Sequence, residues 1–192
     1  MISHLPAIAA FATAALQFAA LAVLIVRGGV LAQAPTLEPI KAVFQLYLWP
    51  VPLVMAVALW GVLAAPVQRR ALTWIGIVLF GLSGALLCLT SSIVLTVFSG
   101  ESRPEAFMIL FITPWPALTL AGAAAAMIGH KLTPAFGASR WFAALGGLII
   151  VSALIATFVI FALYLALLAL AAWWAWLGVV LSKAPVAQAS TV

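Results

Sequence analysis

Two histidines, one cysteine, three carboxylates and a few hydroxyls are the chemical inventory of this chain of 192 residues. A metal site needs its ligands clustered, and haem or chlorin ligation in a helical bundle usually needs a histidine inside a membrane span. His4 precedes the first apolar run and His130 stands beside Lys131 at the end of another. Two interfacial histidines are therefore expected, with no metal and no cofactor. The one ligation the pattern allows is a single axial ligand at His130. Glu101 and Glu105 form a carboxylate pair of the kind that does acid–base work in a cleft. Arg103 lies between them in a short loop, however, so they read as a solvated turn, with Glu105 near a helix start where an anion suits the dipole. Cys88 sits alone in an apolar run and reads as a small buried hydrophobe. Ser83, Thr90, Ser91, Ser92 and Thr96 have no base in reach and would be weak nucleophiles. The chain is expected not to be an enzyme.

The elements that carry these residues follow from composition. The chain is 68% hydrophobic and 6% charged, where a soluble domain carries roughly 25% charged residues. A chain of this size cannot hide so much apolar surface from water, so lipid must be its solvent. The net charge is +5, which raises the question of nucleic acid. The cations Arg27, Lys41, Arg69, Arg70, Arg103, Lys131, Arg140 and Lys183 form no patch. They fall singly or in pairs between apolar runs, where they would meet anionic headgroups, and no nucleic-acid partner is expected.

The apolar runs predict an all-α, polytopic transmembrane bundle occupying residues 1–183. Its spans cover about 5–26, 44–65, 71–98, 106–128 and 141–181, followed by a small polar tail at 184–192. Ala32-Gln33-Ala34 has the look of a signal cleavage site. No cation precedes the first run, though, and the run is too long for a signal peptide, so a retained helix is expected. Short loops at 66–70, 99–105 and 129–140 make neighbouring helices antiparallel. The run 141–181 has 41 residues, about 60 Å as one helix. Val151 to Ala172 contains no Gly, Pro, Asn or Asp, so one unusually long last helix, five spans in all, is the preferred reading. Two helices joined by a tight apolar turn, six spans in all, is the alternative. Trp173, Trp174 and Trp176 look like an aromatic belt at an interface. In the five-span reading the cations divide four against four, so the positive-inside rule does not decide orientation. Arg69-Arg70 in its very short loop tilts the amino terminus toward the cytoplasm.

Within the spans, Gly81, Ala85, Cys88, Ser92 and Thr96 recur every three or four residues and share one helix face. Gly122 and Ala126 do the same in the fourth span, and Ala15 and Ala19 in the first. Such faces let helices approach closely, so these residues are expected to pack against protein rather than lipid. Pro114 and Pro116, eight to ten residues into the fourth run, are expected to kink or break it. Phe44 to Pro52 echoes Met108 to Pro116, each with a Pro-x-Pro pair and a nearby Trp, and Trp74 and Trp141 each open the next run. The echo suggests two parallel helical hairpins.

No ionisable residue lies inside these spans, whereas proton relays, coupled carriers and voltage sensors generally need one. The expected function is thus a non-enzymatic membrane subunit or accessory or assembly protein of a larger complex. It would contact other membrane subunits or a second copy of itself within the bilayer. The alternative is a small carrier or substrate-binding component for a neutral or apolar solute, built on the hairpin repeat. Size and span count resemble those of many small bacterial inner-membrane proteins, and that is the expected location.

Overall fold

The computed structural model describes residues 4–27, 43, 45–48, 50–64, 70–97, 114–136, 140–156 and 160–183. All secondary structure among them is helical. Six helices have fifteen or more residues: α1 (Leu5–Arg27), α2 (Pro50–Ala64), α3 (Arg70–Val97), α4 (Pro114–Phe136), α5 (Trp141–Ile155) and α6 (Ile160–Lys183). Leu5–Val26, Ala71–Ile93 and Phe161–Lys183 are each long and apolar enough to cross a membrane, and Pro50–Leu63 and Trp141–Ile155 are shorter apolar helices. The chain therefore suits a membrane, where internally hydrogen-bonded helices are a permitted way to span the hydrocarbon.

The helices form a closed ring. Each packs on its neighbour in sequence, and α6 returns to pack on α1. The α4–α5 contact is the most extensive, and the α2–α3 contact is a thin seam. Close approaches fix the directions. Gly76 of α3 lies against Ile128 of α4, while Ser83, further along α3, bonds Ala117, earlier in α4. Gly122 and Gly129 of α4 meet Ile150 and Phe142 of α5 in the same inverted order. Gly61 of α2 touches both Pro6 of α1 and Leu181 of α6, and Phe11 of α1 covers Gly178 of α6. Neighbours are antiparallel throughout.

The expectation of one long last helix is corrected. The apolar run 141–181 is a hairpin: α5 ends at Ile155 with Ala156 as its C-cap, and α6 begins at Ile160. Phe142 stacks on Trp173 with ring centroids 5.1 Å apart, and these two residues are equidistant from the break. No Gly or Pro marks the reversal. A single helix of that length would have left one half without neighbours, whereas the fold-back buries Ile149, Ala153, Ala166, Leu170, Trp173 and Leu177.

The aromatic-belt expectation fails with it for two of the three tryptophans. Trp173 and Trp174 are completely buried, and only Trp176 reaches the surface. The other exposed tryptophans among the described residues are Trp60, Trp74 and Trp141. They lie near the carboxyl end of α2 and the amino ends of α3 and α5, which the antiparallel order puts at one end of the ring. That is where amphipathic rings meet headgroups.

The fourth element runs past its expected end at 128. Pro114 opens α4, which runs through His130 and Lys131 to Phe136. Both prolines fall in its first turn, where the missing N–H groups have no intrahelical acceptor to lose. The expected kink or break concerns residues 106–113, which lie outside the described residues. Pro50 likewise opens α2, so both Pro-x-Pro pairs start a helix, although much of the echo at 44–52 and 108–116 is also outside the described residues. The two hairpins differ in packing, since α2–α3 is the thinnest contact of the ring and α4–α5 the broadest.

Candidate functional site in the ring centre

Four of the five α3 residues expected to pack against protein face out of the bundle. The inward face of α3 is Thr73, Gly76, Phe80, Ser83, Gly84, Thr90 and Ser91, all buried. Gly81, Ala85, Ser92 and Thr96 are exposed, and a Cβ built on Gly81 would meet nothing within 4 Å. Cys88 is half-buried, its thiol donating to the carbonyls of Leu48 (3.3 Å) and Tyr47 (3.6 Å), which precede α2. The bundle packs on the neighbouring stripe because Phe80 and Ser83 have partners there and Gly81 has none. Ser92 and Thr96 turn their hydroxyls back onto the carbonyls of Cys88 and Ser92 (2.9 and 2.8 Å), so they satisfy themselves without a neighbour. Ala15 and Ala19 are also exposed, and α1 packs through Ala7, Ala10, Thr13, Ala14, Gln17 and Ala20.

Gly122 and Ala126 lie in the α4–α5 interface, facing Gly146. A Cβ on Gly122 would come within 2.9 Å of the Gly146 carbonyl oxygen. His130 is exposed on α4, and among the described residues no three of His, Cys, Asp and Glu come together.

Sequence reasoning missed the centre of the ring. Phe80 from α3 reaches across it to Trp173 and Trp174 of α6, at centroid distances of 5.3 and 5.1 Å. The two indoles meet edge-on at 5.2 Å, and Phe142 of α5 closes the far side of Trp173. Such aromatic pairs add about 0.5–1.5 kcal/mol each beyond the area they bury. Gln17 of α1 is 2% exposed. Its Oε1 and the Nε1 atoms of Trp173 and Trp174 lack hydrogen-bond partners. A Gln in a run of alanines and leucines is the sequence signal that marks it.

The α3–α4 contact carries one satisfied buried hydrogen bond, from Ser83 Oγ to the Ala117 carbonyl at 2.7 Å. Hydrogen bonds between membrane helices average about 0.6 kcal/mol, so Ser83→Ala should lower the thermal midpoint in detergent only slightly. Ser83→Leu should lower it sharply, because the side chain is buried between helices. Equal effects of the two would show that the hydroxyl and not the volume matters there.

No protein-family model, curated protein or solved structure matches the chain.

Proposed function

We infer that this chain is a non-enzymatic, multi-pass subunit or assembly protein of a bacterial inner-membrane complex, crossing the bilayer six times. The observation that carries this reading is the outward face of α3. Only 28% of its apolar window is buried, the least of the three long helices. That exposed face bears Gly81, Ala85, Ser92 and Thr96, whose small volumes let another helix approach closely. With the Ser92 and Thr96 hydroxyls already bonded within α3, a partner helix can pack there without stranding a polar group.

Charge supports an orientation. The antiparallel order and the last hairpin bring the amino ends of α1, α3 and α5 to the carboxyl ends of α2, α4 and α6. Arg69, Arg70, Lys131, Arg140 and Lys183 belong in sequence to these ends and their connections, with no carboxylate. Arg27, Lys41 and Arg103 belong to the opposite set, with Glu38, Glu101 and Glu105. The even division of a five-helix count becomes five cations against three, and the positive-inside rule then puts both termini in the cytoplasm.

Two measurements test the reading. A photo-crosslinking residue at position 92 should give one adduct of discrete mass in native membranes, whereas one at Ser83 should give none. The mass distinguishes a second copy from another subunit. A carboxy-terminal fluorescent-protein fusion should fluoresce, and the matching alkaline phosphatase fusion should be inactive. A lone monomer with no adduct at position 92 would remove the subunit reading, and an active phosphatase fusion would invert the orientation.

A further inference from the structure

The outer side of the α4–α5 contact carries basic residues at one end and small residues below them. Gly129 of α4 meets the backbone of Phe142 in the first turn of α5, where an added Cβ would lie 2.9 Å from the Phe142 carbonyl oxygen. His130, the next residue of α4, and Arg140, at the start of α5, are therefore at one depth, and both are exposed. Lys131 follows His130 in sequence. Arg140 is the N-cap of α5, yet its side chain makes no capping bond, so the helix does not engage the guanidinium. The carboxylates Glu38, Glu101 and Glu105 all belong in sequence to the opposite end of the ring, so none of them offsets this charge.

Helical spacing fixes what lies beneath. Arg140, Ala143 and Gly147 share a face of α5, and His130, Ala126 and Ala123 share one of α4. Ala123, Ala126, Ala143 and Gly147 are half-buried, and a Cβ on Gly147 would meet nothing within 4 Å. They leave a furrow that descends seven residues from the basic groups. That is about 10 Å of helix, within one leaflet of a hydrocarbon core of about 30 Å. A phosphate suits the head of the furrow, because a guanidinium presents paired N–H donors that match it. An apolar chain suits the floor, which a free phosphate would leave empty. We propose that the outer α4–α5 seam holds one anionic phospholipid, its phosphate at His130 and Arg140 and an acyl chain along Ala123, Ala126, Ala143 and Gly147. Basic sites between membrane helices bind anionic headgroups in this way. The seam lies on other helices than the α3 outer face, so the proposal is independent of any partner that packs there.

Native mass spectrometry of the full-length protein in mild detergent, titrated with phosphatidylglycerol or with phosphatidylcholine of the same chains, tests the site. One phosphatidylglycerol should be retained at concentrations where phosphatidylcholine is not. Arg140→Gln should weaken that retention about fivefold, the contribution of one cation at a membrane surface. His130→Gln serves if Arg140→Gln does not fold. Lys183→Gln removes an exposed cation from the same end of the ring. Lys183 lies seven residues along α6 beyond Trp176, whose ring meets Phe142. That is about 10 Å of helix, a distance over which salt screens exposed charges, so its effect should be at most about twofold. Gly147→Leu would fill the furrow without changing charge, and should weaken retention at least as much as Arg140→Gln. Equal retention of the two lipids would overturn the proposal. So would equal losses from Arg140→Gln and Lys183→Gln, which would mean a diffuse surface potential. Retention unchanged by Gly147→Leu would mean a headgroup contact alone, and that result also overturns it.

Discussion

Gly146→Ala should remove most of the folded, monodisperse protein from a detergent extract, whereas Gly147→Ala, one residue along the same helix, should leave it intact. A Cβ on Gly146 would collide with the backbone nitrogen of Ala126, and would lie 2.6 Å from the Ala126 Cα and 2.7 Å from the Gly122 carbonyl oxygen. These are backbone atoms, so no rotamer change relieves the clash. The helices must separate along the most extensive contact in the ring. Overpacking of a well-fitted core typically costs about 1–3 kcal/mol, occasionally more. Where the obstacle is backbone on both helices, the upper end applies. That is a large part of the marginal stability of a domain, about 5–15 kcal/mol. A Cβ on Gly147 meets nothing within 4 Å, and Ala is better than Gly in a helix by about 1 kcal/mol, so that variant should be unchanged or slightly more stable. Size-exclusion profiles and thermal midpoints of the two variants decide the matter. Equal behaviour would mean that α4 and α5 do not cross at Gly146.

Trp173→Ala should be the most destabilising truncation among the tryptophans, and Trp176→Ala should be mild. Trp173 is fully buried and contacts Phe80, Phe142 and Trp174, while Trp176 is exposed and has one long ring contact, 6.2 Å to Phe142. In water-soluble cores, Trp→Ala costs about 3–5 kcal/mol, part transfer and part cavity. Lipid is as apolar as the bundle interior, so much of the transfer part disappears here. The cavity and the lost dispersion contacts persist, leaving an expected cost on the order of 2 kcal/mol. The loss should appear as a lower thermal midpoint, with Trp173→Phe retaining much of the stability. A Trp176→Ala variant as unstable as Trp173→Ala would show that the aromatic cluster is not the centre of the packing.

The membrane class and the helical class were legible from composition. At 68% hydrophobic and 6% charged, no arrangement in water can cover the chain, and lipid leaves few ways to satisfy the backbone. Charges also mark two helix ends, Arg27 at the carboxyl end of α1 and Arg69-Arg70 at the amino end of α3.

What tertiary structure decided was direction. Helical periodicity finds a face of small residues on α3 but does not say which side it turns to. Phe80 has ring partners across the bundle and Ser83 bonds a carbonyl of the neighbouring α4, so Gly81, Ala85, Ser92 and Thr96 were left outside. It also decided the last hairpin. An apolar run carries no local instruction to reverse, and only the packing gained by Ile149, Trp173 and Leu177 against neighbouring helices favours two helices over one. The centre of the ring was the least legible part, because Phe80, Phe142 and Trp173 are far apart in sequence. Only the closed ring of helices brings these side chains into contact.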